Sequence, residues 1–135
     1  VSTKIFVNLP VKDLSKSKDF FQRLGWTFNP QFTDETAACL VISDDIYAML
    51  LTHEKFSGFT NKPIAEPSVA EALIAVGVDS KEEVARIADA ALKAGGSEAK
   101  PPQDYGFMQV RSFLDPDGHH WEVMYMNPAH VKPQN

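Results

Sequence analysis

Near the end of the chain, the run His119-His120-Trp121-Glu122-Val123-Met124-Tyr125-Met126 holds an imidazole and a carboxylate two residues apart, at His120 and Glu122. Its β-branched and aromatic content predicts a strand, and in a strand such residues share a face with Cα atoms roughly 7 Å apart. A His-x-Glu pair so placed could chelate a cation, and His53, at the end of another predicted strand, would complete a 2-His-1-carboxylate set. That is the alternative metal reading, with a divalent metal as cofactor and His53, His120 and Glu122 as ligands. The plainer reading is that His120 sits beside a turn and is solvated or hydrogen-bonded locally, because no third ligand is fixed by the spacing. His119 alternates to the other face, and His130 lies in a tail and is read as a solvent residue. Cys39 is the only cysteine, so no internal disulfide can form. Set in the apolar run 37–42, it reads as a small core residue rather than a nucleophile.

Composition narrows the function further. A net charge of −5 with no basic block argues against a nucleic-acid partner. No apolar run approaches the length of a membrane span, and the first residues enter a strand pattern without the features of a signal peptide. With one cysteine and no such leader, the expected compartment is cytoplasmic. At 135 residues the chain is long enough for one domain with its own core.

The elements that must position these groups follow from periodicity. Residues 4–11 read as a strand with Ile5, Val7 and Leu9 on one face and Phe6, Asn8 and Pro10 on the other. Asp13 caps a helix whose Leu14, Phe20, Phe21 and Leu24 form an apolar stripe, and Gly25 stops it. Residues 26–32 are a short irregular strand, and 35–42 and 46–52 form a hairpin across Ser43, Asp44 and Asp45. Residues 53–68 hold Pro63, Pro67, Gly58 and Asn61 without a period and read as a long loop, either a lid or a plain linker. The pattern then restarts. Residues 73–78 are a strand, Ser80 with Glu83 forms a capping box, and Val84, Ile87, Ala88, Ala91 and Leu92 recur at helical spacing until Gly95. A short strand at 98–100, a loop at 101–106 and a hairpin over 107–114 and 120–126 complete the copy. Asp115-Pro116-Asp117-Gly118 turns that hairpin: Pro116 presets φ, Gly118 accepts a left-handed conformation, and Asp115 or Asp117 can accept from the turn's amides. Residues 127–135 are expected to be a disordered tail or a dimer arm. Val11 matches Val78 at an offset of 67 and Gly25 matches Gly95 at 70, so the chain reads as two copies of one strand–helix–strands unit.

Two βαβββ modules, about 3–52 and 69–126, an opening Asp-Leu-x-x-Ser-x-x-Phe-Phe (Asp13, Leu14, Ser17, Phe20, Phe21) and the closing Phe-x-Asp-Pro-Asp-Gly-x-x-x-Glu together resemble the vicinal oxygen chelate superfamily of glyoxalase I, bleomycin-resistance proteins and extradiol dioxygenases. The resemblance covers residues 4–126. It implies one α+β domain over 1–135 whose modules pair into a curved, half-open sheet around a cavity, commonly as a homodimer. In the metal-dependent members four cavity positions supply ligands, and the motif landmarks carry these onto Phe6, Leu50, Leu73 and Glu122. Only Glu122 can bind a cation, and slips of two residues would offer no more than Asn8 or Thr52, so the usual metal site is expected to be missing and no cofactor is expected. The resemblance then leaves an apolar pocket with one carboxylate. Glu122 would be a general base or a hydrogen-bond acceptor for a ligand. Arg111, on the preceding strand, is expected to meet it across the hairpin, as a structural pair or as a joint contact to a polar ligand. The expected ligand-binding set is Phe6, Asn8, Leu50, Leu73, Arg111 and Glu122; Tyr105, Phe107, Gln109 and Tyr125 are further wall positions that parity alone does not decide. The favoured function is a metal-independent protein that binds or sequesters a small molecule. The alternative is an enzyme, a lyase, isomerase or dioxygenase, using an unconventional metal site or Glu122 as base, and a third reading is an interaction module whose cavity is filled by side chains.

Overall fold

A computed structural model describes residues 3–130 of the chain, which divides into two compact units, Val1–Val69 and Ala70–Asn135. The first unit runs β1 (Ile5–Val11), α1 (Leu14–Arg23), β2 (Thr27–Asn29), a 3-10 turn at Pro30–Phe32, β3 (Ala37–Ser43), β4 (Ile46–Thr52) and a short helix, α2 (His53–Ser57). Its strands form one sheet in the order β1-β4-β3-β2, with β1 parallel to β4 and the other pairs antiparallel. Asp13 caps α1 by accepting from the Lys16 amide at 3.1 Å, and Gly25 takes φ 97° after its last turn, a conformation that costs a side-chain-bearing residue 1–2 kcal/mol or so. Phe20, Phe21 and Leu24 on the apolar stripe of α1 are buried, as are Leu40, Ala48 and Leu50 on one face of the sheet. Burying such side chains supplies roughly 1.5–3 kcal/mol each. Pro10 sits inside β1, opposite Leu51, which an edge strand tolerates because it needs no donor on its free side.

The second unit runs β5 (Leu73–Gly77), α3 (Lys81–Lys93), β6 (Ser97–Glu98), β7 (Gln103–Asp104), β8 (Met108–Leu114), β9 (His120–Met126) and a 3-10 turn at Pro128–His130. Its sheet has the order β5-β9-β8-β6, with β7 also paired to β8. Trp121, Val123 and Phe113 are fully buried on the face that meets Val84, Ile87, Ala88 and Ala91 of α3. Phe113 and Trp121 are register partners whose rings lie parallel with centroids 6.3 Å apart. The hairpin turn closes through Gly118 N–H to Asp115 O at 2.9 Å and Asp115 N–H to His119 O at 3.1 Å, with Gly118 at φ 85°. That is a type I turn followed by a left-handed residue.

Three elements differ from expectation. The segment 53–68 begins with α2 rather than loop, because the Thr52 hydroxyl accepts from the Lys55 amide at 3.3 Å and caps a helical turn. The expected loop 101–106 contains β7, which borrows a partner from β8. Only half of the Ser80 capping box forms: Ser80 Oγ accepts from the Glu83 amide at 3.1 Å, but the Glu83 carboxylate turns to Arg86 instead. Of the tail, 128–130 form the closing turn, and 131–135 lie outside the described residues. No helix is long and apolar enough to cross a membrane among the described residues.

Candidate functional site

The pairing of β5, β9 and β8 fixes which side chains share a face. Leu73, His120 and Leu114 make one row across the three strands, and Ala75, Glu122 and Ser112 make the next. Trp121 and Val123 are turned toward α3, so these rows lie on the opposite, open face of the sheet. His120 thus stands between two leucines, while Glu122 is flanked by two small side chains. His120 Nε2 is 3.7 Å from Glu122 Oε2, with the two side chains 17% and 31% exposed. This is too long for a hydrogen bond, and the nitrogen is buried with no partner among the described residues. Ser112 does not serve Glu122: its Oγ accepts from the Lys100 amide at 3.0 Å and donates to the Lys100 carbonyl at 3.4 Å. The Glu122 carboxylate therefore has no hydrogen-bond donor among the described residues.

Two expected site residues lie elsewhere. Arg111 pairs with Val123 in the β8–β9 register, so its side chain points to α3, where Nη1 donates to Asp89 Oδ1 at 3.0 Å. It cannot meet Glu122, whose partner across the hairpin is Ser112. Gln109 and Tyr125 share the Arg111 side of the sheet by the same parity. Leu50 is fully buried and pairs with Leu9, whereas Phe6, Asn8, Tyr47 and Met49 occupy the other face of the first sheet. Met49, not Leu50, is the position that corresponds to Glu122, because Asn8 pairs with Met49 as Ala75 pairs with Glu122, and Asn8 and Ala75 are related by the repeat offset. Both faces of β4 are apolar, so alternation in the sequence carried no sign of which face was which.

The open face of the first sheet is built on Phe6 and Tyr47, stacked with centroids 4.8 Å apart. Asn8 Nδ2 donates back to the Phe6 carbonyl at 3.3 Å. Cys39 lies on this face opposite Met49, and burial pushes its thiol pKa up, away from the thiolate a nucleophile or metal ligand needs. The equivalent positions of the two sheets thus offer Asn8 and Met49, then Ala75 and Glu122. Neither pair supplies the three or more nitrogen, oxygen or thiolate ligands that a catalytic divalent metal takes from protein. His53, which opens α2, is exposed, and no group of three His, Cys, Asp or Glu side chains able to hold a metal ion occurs among the described residues.

The Asp-Pro-Asp-Gly motif has a local structural task. Asp115 is 5% exposed; its Oδ1 accepts from the Asp117 and His119 amides at 2.9 and 3.0 Å, and its Oδ2 accepts from Trp121 Nε1 at 3.1 Å. Burial pushes its carboxyl pKa up against the opposing pull of His119 and these three N–H groups. The turn thereby pins Trp121 into the α3 face and sets the parity that turns His120 and Glu122 outward. A cleft of about 390 Å³ in the first unit is lined by Thr36, Thr52 and, from the segment read as a lid or a linker, Glu54, Lys55, Gly58 and Phe59. The Lys55 ammonium lies 5.6 Å from the centroid of the Phe59 ring there.

Comparisons with known proteins agree with this architecture. The chain is similar to hypothetical protein SA1046 from S. aureus, with 27% identity, a TM-score of 0.78, and coverage of 93% of this chain and 95% of that one. It is also similar to a glyoxalase/bleomycin resistance protein/dioxygenase family enzyme from Burkholderia phytofirmans PsJN, at 19% identity and a TM-score of 0.76 over 93% and 99% of the two chains. The fosfomycin resistance protein FosX from Listeria monocytogenes shares the fold, at 20% identity and a TM-score of 0.69 over 96% and 97%. Among curated proteins none matches the sequence. Residues 5–123 match the family described as Glyoxalase/Bleomycin resistance protein/Dioxygenase superfamily, and the chain belongs to it.

Proposed function

We propose that this protein binds a small molecule without a resident metal, on the open face of its second sheet, with Glu122 accepting a hydrogen bond from the ligand. The observation that carries the reading is a carboxylate, 31% exposed, set between Ala75 and Ser112 with no donor of its own among the described residues. Such a carboxylate is held only by water on its exposed side, and a ligand that brings a donor gains a charge-assisted hydrogen bond there. Leu73 and Leu114 in the adjoining row supply apolar surface for the rest of the molecule. Capture of a drug or metabolite is the role that follows, and relatives of the same fold carry names that refer to drug resistance.

His120 beside Glu122 favours one second reading, an enzyme in which Glu122 acts as a metal-free general base. Turnover of a hemithioacetal or a catechol by the purified protein, abolished in Glu122→Gln, would establish that reading over simple binding.

A thermal-shift screen of aromatic, thiol-conjugated and cationic compounds tests the binding reading. A true ligand at a hundredfold excess over its dissociation constant raises stability by about 2.7 kcal/mol. The shift is expected to disappear in Glu122→Gln, and added Zn²⁺, Fe²⁺, Mn²⁺ or Ni²⁺ is expected to leave the melting temperature unchanged. A library without a single hit, or metal stabilisation at one equivalent, would sink the proposal.

A further inference from the structure

We infer that His120 is the second polar contact of this site and that the pair selects a ligand carrying a hydroxyl group on an apolar body. The inference rests on the reading of Glu122 as a ligand contact and deepens it. Its starting point is His120 Nε2, a buried nitrogen with no hydrogen-bond partner among the described residues. Buried polar atoms in native proteins are nearly always satisfied, so an orphan calls for an explanation. The orphan faces the partly exposed carboxylate of Glu122, whose Oε2 lies 3.7 Å away.

The chemistry of the two groups restricts what can satisfy both. An ionised carboxylate only accepts. With that carboxylate facing Nε2, an imidazole proton on Nε2 suits the pair, and the nitrogen then only donates. One oxygen lying at an ordinary hydrogen-bond length of about 2.8 Å from each atom fits a 3.7 Å gap. That oxygen must accept from His120 and donate to Glu122, as a water molecule or a hydroxyl does, and a ligand hydroxyl takes the place of that water. An ammonium has nothing to accept with, and a ketone or ether oxygen has nothing to donate. The opening lies on the Glu122 side, because that side chain is 31% exposed against 17% for His120. A modest turn of the imidazole about χ2, a broad torsion, brings Nε2 to the incoming oxygen. Leu73 and Leu114 on either side of His120 then meet the carbon frame next to the hydroxyl.

Four one-ring probes separate these cases by calorimetric titration: benzyl alcohol, benzylamine, acetophenone and toluene, each against wild type, His120→Phe and Glu122→Gln. Benzyl alcohol is expected to bind wild type at least about tenfold more tightly than the other three, since a site built for a hydroxyl rejects analogues lacking it. In His120→Phe that preference is expected to collapse while toluene affinity is retained. On binding benzyl alcohol, the His120 Nε2 resonance of wild type is expected to shift. Should phenylalanine not be accommodated between the leucines, His120→Leu carries the same comparison. Binding of all four probes with equal affinity, or a hydroxyl preference that survives in the His120 variants, overturns this inference and leaves the Glu122 site standing. Binding of none of the four to wild type counts against the apolar site itself and removes both.

Discussion

Trp121 donates its indole N–H to Asp115 Oδ2 at 3.1 Å, and the other oxygen of the same carboxylate accepts two amides of the turn that joins β8 to β9. One buried side chain therefore fixes both the turn and the indole that anchors the sheet to α3. Asparagine at position 115 has one acceptor oxygen and one NH2 group, so a donor must face a donor at one end. Asp115→Asn is expected to cost about 1–3 kcal/mol, the usual penalty for an unsatisfied buried polar group. Urea unfolding followed by tryptophan emission measures it. An unchanged midpoint would show that the carboxylate is dispensable for the turn.

The parity of β4 makes a second expectation. Leu50 is fully buried on the face shared with Leu9, whereas Met49 is half-buried beside Asn8. Leu50→Ala is expected to cost about 2–5 kcal/mol by cavity formation, and Met49→Ala distinctly less. If the two costs were reversed in denaturant unfolding, the assignment of faces in the first sheet would be wrong.

Much of this architecture is legible in the sequence. The Asp13 cap, Gly25, the Ser43-Asp44-Asp45 hairpin and the Asp-Pro-Asp-Gly turn are local signals, set by backbone sterics and short-range hydrogen bonds, and each sits where its residue types require. Alternation along the last strand puts Glu122 on the sheet face opposite Trp121, but which of the two faces the helix covers has no sign in the alternation. What failed was long-range. Leu50 and Met49 are both apolar, so hydrophobicity could not tell a core position from an open-face position. Arg111 looked like a cross-strand partner for Glu122, but that pairing depends on hairpin register, and a shift of one residue turns a side chain to the other face. The partnerless state of His120 Nε2 is a property of three-dimensional surroundings and has no counterpart in sequence spacing.

Acid stability provides a third test. The Asp34 carboxylate accepts from the Thr36 amide at 2.8 Å, the Thr36 hydroxyl at 3.0 Å and the Ala37 amide at 3.0 Å. The Thr36 bonds, first the amide and then the hydroxyl, hold its pKa below the usual carboxylate value. A group depressed in the folded state contributes stability above its unfolded pKa, and that contribution is lost as pH falls through the folded value. Asp115 has the opposite sign: burial raises its pKa, so its contribution is greatest below the unfolded pKa and falls as pH rises through the folded one. As pH falls from the usual carboxylate value of 3.8 through the lower folded value, Asp34→Asn is therefore expected to flatten the loss of stability with acid. Thermal melts at a series of pH values would count against this if wild type and variant lost stability in parallel.

The Arg111 ion pair separates structure from ligand binding. Its partner Asp89 is 59% exposed on α3, while the arginine side chain is 20% exposed. A pair with one end in water contributes little, about 1 kcal/mol or less, whereas the arginine stem covers apolar surface on the α3 side of the sheet. Asp89→Ala is thus expected to change stability by under about 1 kcal/mol, Arg111→Met to stay close to it, and Arg111→Ala to cost more than either by losing the stem. None of the three is expected to alter the affinity of a ligand that depends on Glu122, because Arg111 and Glu122 stand on opposite faces of the sheet. Denaturant midpoints and ligand titrations on the same preparations test both halves. If Arg111→Met weakened binding as much as Glu122→Gln while leaving the midpoint alone, the guanidinium would have to reach the ligand, and the open face would no longer be the binding surface.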